Sequence, residues 1–275
     1  GLTAVEFLRD YWQKKPLLLR GAFPDFEPEL DADDIAGLAC DELAESRLIT
    51  GPAPNGRWAL RHGPFDDGDF AALPETGWTL LVQDVEKHYP PLRQLLANFD
   101  FLPNWRIDDL MVSVAGPGGS VGPHVDQYDV FLLQAAGRRR WQIARTFEPG
   151  LLPDCELNIL ERFEPEDDWI LEPGDVLYLP PGVAHHGVAL DQGMTWSFGM
   201  RAPSAADLMQ SLGEWLAGFD HALYRWRDRG FCGRRHRHRC PPVGPKGAPH
   251  LHRTHHRQGA RVVRRSARRD APTEQ

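Results

Sequence analysis

The residues best suited to chemistry lie in Gly122-Pro123-His124-Val125-Asp126 and, about sixty positions on, in Pro180-Pro181-Gly182-Val183-Ala184-His185. Two neutral imidazoles and a carboxylate can hold an iron(II) ion on one face and leave positions open for substrates. His124 and Asp126 are two apart in a strand-like stretch, so their side chains leave the same face and can converge on one ion. Pro123 stiffens the approach and Gly122 lets the backbone turn. Pro180-Pro181-Gly182 forms a turn that returns a histidine to the same mouth. A lone His-x-Asp pair is commonly bland; the glycine-proline contexts lift this one and point to an oxygenase. His186 competes with His185. Under strand alternation one faces inward and the other outward, and the residues alone leave both open.

Gly137-Arg138-Arg139-Arg140-Trp141-Gln142-Ile143 adds a second element. Three arginines ordinarily mark a solvated basic edge. Here Trp141 and Ile143 share the apolar face, and Arg139 lies on it, whereas Arg138 and Arg140 point out. A buried guanidinium requires an anion, and its fork suits a carboxylate in two-point contact. A dicarboxylate cosubstrate inside a barrel would supply one; an internal salt bridge is the structural alternative.

The elements that must position these groups are legible in outline. Val5, Phe7, Leu8, Tyr11 and Trp12 have helical spacing, ended by Pro16, and Leu17-Leu18-Leu19 reads as a short strand. Residues 31–48 read as a helix with Asp31 to Asp34 as cap candidates, 78–82 as a strand, and 89–99 as a helix entered through Pro90-Pro91. From there the pattern changes to short strands: 110–115, 128–135, 139–144, 176–179, 187–190 and 195–200, with turn residues between. Consecutive strands without intervening helices predict a β-sandwich or barrel. Residues 205–219 resume helical spacing, with Leu208, Leu212, Trp215, Leu216 and Phe219 on one face.

The chain of 275 residues is long enough for a full core. It has no apolar run of membrane-spanning length. The start has no basic segment before an apolar core, so no secretory signal is expected, and its lack of methionine suggests trimming. Cys40, Cys155, Cys232 and Cys240 form no CxxC pair, which fits a reduced, cytoplasmic protein. The net charge of −8 hides a split. Residues 227–275 hold fourteen Lys and Arg against three Asp and Glu, a net +11, and residues 1–226 hold 17 against 36, a net −19. An acidic body suits a basic partner, although solubility alone also explains it.

With these features in place, the chain resembles the JmjC-type ribosomal oxygenases, and within them the bacterial YcfD-type arginine hydroxylases. The resemblance rests on Tyr11-Trp12-Gln13-Lys14-Lys15-Pro16-Leu17, His62-Gly63-Pro64-Phe65, Trp105-Arg106-Ile107-Asp108-Asp109-Leu110-Met111, 121–131, 137–141, Glu172-Pro173-Gly174-Asp175, 179–182 and Arg201-Ala202-Pro203. It implies a mainly β chain with flanking helices and a double-stranded β-helix core. The implied division is an oxygenase domain over 1–203 (core from about 105, flank 1–104), a helical dimerisation segment over 204–226 and a basic tail over 227–275. By matched position His124, Asp126 and His185 would bind iron, the proline-proline-glycine pattern selecting His185. Arg139 would grip the distal carboxylate of 2-oxoglutarate, with Ser113 adding a hydroxyl contact. The implied reaction consumes dioxygen, turns 2-oxoglutarate into succinate and carbon dioxide, and hydroxylates the β-carbon of an arginine in the sixteenth large-subunit ribosomal protein. Histidine hydroxylation, demethylation and a non-catalytic ribosome-binding barrel are the alternatives. Asp108, Asp109 and Asp129 could orient a guanidinium, although capping or solvation accounts for them equally. The resemblance also implies a homodimer, with packing of 205–219 on its own barrel as the alternative, and no direct nucleic-acid binding by the body.

The resemblance stops near Trp226. The Arg-, His-, Pro- and Gly-rich remainder cannot bury enough apolar surface to offset chain entropy and is expected to be disordered. Its composition is that of a GC-rich gene read out of frame, which makes a frameshift the leading explanation. A phosphate-binding tail is the alternative, and a metal site from Cys232, His236, His238 and Cys240 has spacings unlike usual zinc patterns.

Overall fold

The larger of two antiparallel sheets carries every strand of the N-terminal flank. The computed structural model describes residues 2–53 and 55–218. The flank comprises α1 (Ala4–Asp10), β1 (Leu17–Leu19), α2 (Ala32–Ala39), β2 (Ser46–Thr50), β3 (Ala59–His62), α3 (Asp67–Ala71), β4 (Trp78–Val82), α4 (Val85–His88) and α5 (Arg93–Leu96). Then follow β5 (Ile107–Ala115), β6 (His124–Val125), β7 (Asp129–Ala136), β8 (Arg139–Ala144), β9 (Asp167–Leu171), β10 (Val176–Leu179), β11 (Ala184–Ala189), β12 (Gly193–Met200) and α6 (Ala205–Ala217). The sheets run β1-β10-β7-β12-β5-β4-β2-β3 and β6-β11-β8-β9. This is a cupin-like β-sandwich, the expected architecture. The basic tail, its Cys/His group and the end of the 204–226 segment lie outside the described residues.

Alternation along the large sheet separates two interiors. Leu110, Val112 and Val114 of β5, Phe131 and Leu133 of β7, and Trp196, Phe198 and Met200 of β12 face the flanking helices in one core. The intervening residues face the small sheet. There Val130, Leu132, Leu177 and Leu179 pack on Trp141, Ile143 and Leu171. A strand buried on both faces needs side chains for both, and the period of two delivers them. It also aims Asp109, Met111, Ser113, Thr195 and Ser197 into the space between the sheets.

The flank is fixed by local chemistry. α1 and α2 each begin with a reciprocal capping box, Thr3 with Glu6 and Asp31 with Asp34. Phe7 of α1 meets the Tyr178 ring edge-on at 4.9 Å, anchoring the helix on the sheet. The helix expected over 31–48 stops at α2; a turn follows, and the last three residues of that stretch belong to β2. Ala39 O accepts hydrogen bonds from Phe65 N and Ser46 Oγ, and Asp41 Oδ1 caps Leu43 N. Ser46–Thr50 then gains a strand partner on each side, β3 and β4. The helix expected over 89–99 is a single turn, α5, between two 3-10 turns. The strand expected over 187–190 begins earlier, at Ala184, and so contains both His185 and His186. β3 and β9 were not expected, whereas β6 is the strand expected to carry His124.

Asp129, a candidate for substrate contact, lies instead on the helix-facing side with no exposure. It accepts from Tyr178 Oη at 2.6 Å, Arg106 Nη2 at 2.9 Å and Gln13 Nε2 at 3.1 Å. Arg106 also donates to Arg201 O, tying the start of β7 to the end of β12. Removing one member of such a cluster leaves the others buried without partners. Asp129→Ala is expected to cost about 3–5 kcal/mol, read as a lower urea midpoint; a change under about 1 kcal/mol would show that the cluster is solvated.

Candidate active site

The two histidines come together through strand pairing. β6 pairs with β11 so that His124 stands directly opposite His185, with ring centroids 4.2 Å apart. Asp126 follows β6, where its carbonyl accepts from Gly182 N at 2.8 Å, joining the two turns. Gly122 is required twice over. Its φ is +79°, and a Cβ there would stand 2.8 Å from Ile159.

The donor atoms are arranged for one ion. Asp126 Oδ2 lies 3.9 Å from His124 Nε2 and 3.5 Å from His185 Nε2. All three ligand atoms lie within 4.8 Å of one another. His124 Nδ1 is 2.9 Å from Gly122 O and His185 Nδ1 is 3.0 Å from Val183 O. A carbonyl can only accept, so each Nδ1 carries the proton and each Nε2 presents its lone pair. Burial, then the neighbouring His124, pushes His185 down to about 4, keeping it neutral and able to ligate. His186 points away and meets Phe163 edge-on. Two imidazole nitrogens and a carboxylate, on one side of an open cavity, suit a divalent iron ion.

Deeper in this cavity sits Arg139. Its neighbours are paired outside, Arg138 with Asp191 and Arg140 with Asp168. Arg139 is 4% exposed and among the described residues meets no carboxylate. Nη1 reaches Ser113 Oγ at 3.3 Å and Thr195 Oγ1 at 3.4 Å, and Nη2 reaches Gly187 O at 3.5 Å. Nε has no partner. The guanidinium lies 5.2 Å over the Trp141 ring, and burial alone pulls its pKa down to about 10. Among the described residues the internal salt bridge is therefore absent, and a buried cation with long contacts and one orphan donor is built to receive an anion.

Three cavity residues were not singled out in the sequence. Thr195 donates to Gln134 Oε1 at 3.0 Å, which turns its oxygen toward Arg139. Alternation from buried Trp196 and Phe198 would have revealed it. Met111 and Tyr128 line the outer cavity. Of the three mouth aspartates only Asp109 faces inward. Burial, then Asp108 and Asp84, pushes it up to about 6, opposed by a hydrogen bond from Gln83. Asp108 pairs outside with Arg201 at 3.1 Å.

Residues 94–208 match the family model of the JmjC domain. Ribosomal protein uL16 3-hydroxylase of Escherichia coli is 43% identical over 216 residues, 78% of this chain and 57% of that protein. The probable ribosomal oxygenase of Haemophilus influenzae is 41% identical over 80% of this chain and 54% of its own length. This chain thus spans a little over half the length of both. A solved structure of the Escherichia coli ribosomal oxygenase YcfD, in complex with cobalt and 2-oxoglutarate, superposes with a TM-score of 0.75 and 39% identity over 88% of this chain and 63% of that one. The chain is a JmjC-domain protein, similar over most of its described length to the bacterial ribosomal oxygenases.

Proposed function

We propose that this chain is an iron(II)- and 2-oxoglutarate-dependent protein hydroxylase that adds a hydroxyl to the β-carbon of an arginine in ribosomal protein uL16. The observation that carries the cosubstrate is Arg139, a buried guanidinium without an anion in the same cavity as the His124, Asp126 and His185 donors. The solved relative named as bound to cobalt and 2-oxoglutarate supports it. His124, Asp126 and His185 hold the iron, and Arg139 grips the distal carboxylate, with the Ser113 and Thr195 hydroxyls at its side. When bound, iron and 2-oxoglutarate supply an oxidant from dioxygen through oxidative decarboxylation.

The chain's own residues then bind, orient and exclude water. Val130, Leu132 and Trp141 give the inner cavity apolar walls, and a low-dielectric lining strengthens charge interactions inside it. Asp109 faces the outer cavity as an anion for the target guanidinium, whereas a neutral histidine would offer it a single N–H and no charge. Incubation with iron(II), 2-oxoglutarate and uL16 is expected to yield succinate and one added oxygen on a single arginine, read by peptide mass spectrometry. An increment on histidine, or succinate without any increment, would refute the assigned target.

The acid at 109 gives this reaction a pH limb. Its pKa is raised, so the free enzyme carries the charge above about 6 and loses it below. The substrate guanidinium stays charged throughout, so attraction is present at high pH and lost as pH falls. The kcat/KM for an arginine peptide is expected to drop about tenfold per unit well below pH 6, and Asp109→Asn should lower the plateau and remove that limb. A limb unchanged in Asp109→Asn assigns it elsewhere.

A homodimer is the quaternary state we favour, and it is supported by α6. Leu208, Met209, Leu212 and Leu216 are exposed along it, so the helix does not bury this face on its own barrel. Sedimentation that gives a monomer at micromolar concentration would exclude it. A ribosomal substrate supports a cytoplasmic location. Among the described residues no helix is long and apolar enough to cross a membrane.

A further inference from the structure

Asp109 is held by a polar relay outside the metal centre. Gln83 follows β4 directly, and its N–H donates to Glu45 O at 2.9 Å. Arg47 lies on β2 opposite Leu81 of β4. Pairing of β2 with β4 therefore brings the two side chains together. Arg47 Nη2 donates to Gln83 Oε1 at 3.0 Å, and Gln83 Nε2 donates to Asp109 Oδ2. Arg47 otherwise meets the Met111 sulfur at 4.0 Å, and among the described residues it forms no ion pair. The second carboxylate oxygen is accommodated by Gly199 of β12, where a Cβ would stand 2.6 Å from Asp109 Oδ1.

The direction of each bond in this relay is forced. A guanidinium has donors and no acceptor, so the Gln83 amide must turn its oxygen to Arg47. Its N–H group must then face the carboxylate. An amide N–H donated to Asp109 favours the ionised acid and stops it from rotating. Without the charge at 47 the amide is free to flip. A carbonyl oxygen would then face Asp109 and favour a protonated acid, which has no preference for a cation.

We propose that Arg47 and Gln83 are positioning residues that tie one oxygen of Asp109 and leave its charge aimed into the cavity, so that the site selects a guanidinium over a neutral side chain of the same shape. This inference rests on arginine being the target. It extends that reading to Arg47 of β2 and Gln83 just after β4, which act through Asp109 and stand outside the pairing that forms the metal centre.

The test uses the full chain with iron(II), 2-oxoglutarate and two uL16 peptides, one with the target arginine and one with citrulline, its neutral isostere. The readout is the ratio of kcat/KM between them. Wild type is expected to favour arginine. Arg47→Met and Gln83→Leu should each reduce that ratio about tenfold, mainly through KM for the arginine peptide. Arg47→Lys should recover most of it, and the double variant should lose no more than either single one, because the two residues act in series. An unchanged ratio, or equal losses on both peptides, overturns the proposal, since damage to the fold would lower both. Wild type that turns over neither peptide overturns the arginine reading instead, so the two failures are distinguishable.

Discussion

Asp126→Ala is expected to abolish turnover and iron binding together. Asp126 is the only anion of the three donors, and its Oδ2 lies 3.5 Å from His185 Nε2 and 3.9 Å from His124 Nε2. Without it, two neutral imidazoles would face a divalent cation with no charge compensation. Even partners that merely orient a metal ligand are worth 10- to 100-fold when removed, so a ligand lost outright should lower turnover on the order of a thousandfold. The measurements are succinate release and bound iron per chain, with near-ultraviolet circular dichroism to confirm packing. Asp126 is partly exposed and its carboxylate satisfies no buried donor, so the fold should survive. A well-packed variant with full iron content and activity would remove this carboxylate from the metal centre.

Arg139→Met should have effects of opposite sign on binding and on stability. The buried guanidinium lacks an anion, and burial alone lowers its pKa to about 10, a sign that its charge is disfavoured in the free protein. Methionine has a similar length and needs no partner. Replacing a buried charge with a packed apolar side chain often stabilises by about 1–4 kcal/mol, so the melting temperature without ligands should rise. Affinity for 2-oxoglutarate should fall by two to three orders of magnitude, since truncating one partner of a buried charge pair costs about 2–5 kcal/mol. The two measurements are thermal unfolding without ligands and the KM for 2-oxoglutarate. A variant that melts lower and keeps its cosubstrate KM would make Arg139 a structural residue.

How much of this was legible beforehand depends on the range of the interaction. The β8 arginines were separable because alternation is local: Trp141 and Ile143 mark the buried face, and Arg139 must share it. The strand at Leu17–Leu19, just after Pro16, was equally plain, and so was a helix over 205–219, of which Ala205–Ala217 is observed. The stretch 31–48 misled because its apolar spacing suits a helix throughout. What ends the helix is remote, namely Phe65 and Ser46 reaching Ala39 O and two strands flanking β2. Asp108, Asp109 and Asp129 look alike in sequence. They end up paired at the surface, facing the cavity and fully buried in an ionic cluster, because each sits at a different position relative to the two faces of the large sheet.

By itself the sequence determined a β chain with a His-x-Asp pair, a returning histidine and one inward arginine, because side-chain periodicity and turn residues act over a few positions. Alternation left His185 and His186 open and the family pattern selected His185; the tertiary structure supplied the reason, the register of β6 on β11 that sets His185 opposite His124. The tertiary structure alone left Arg139 without an anion and linked Arg47 through Gln83 to Asp109. Those are contacts between strands far apart in the chain, fixed by sheet pairing and by the cost of burying unsatisfied polar groups.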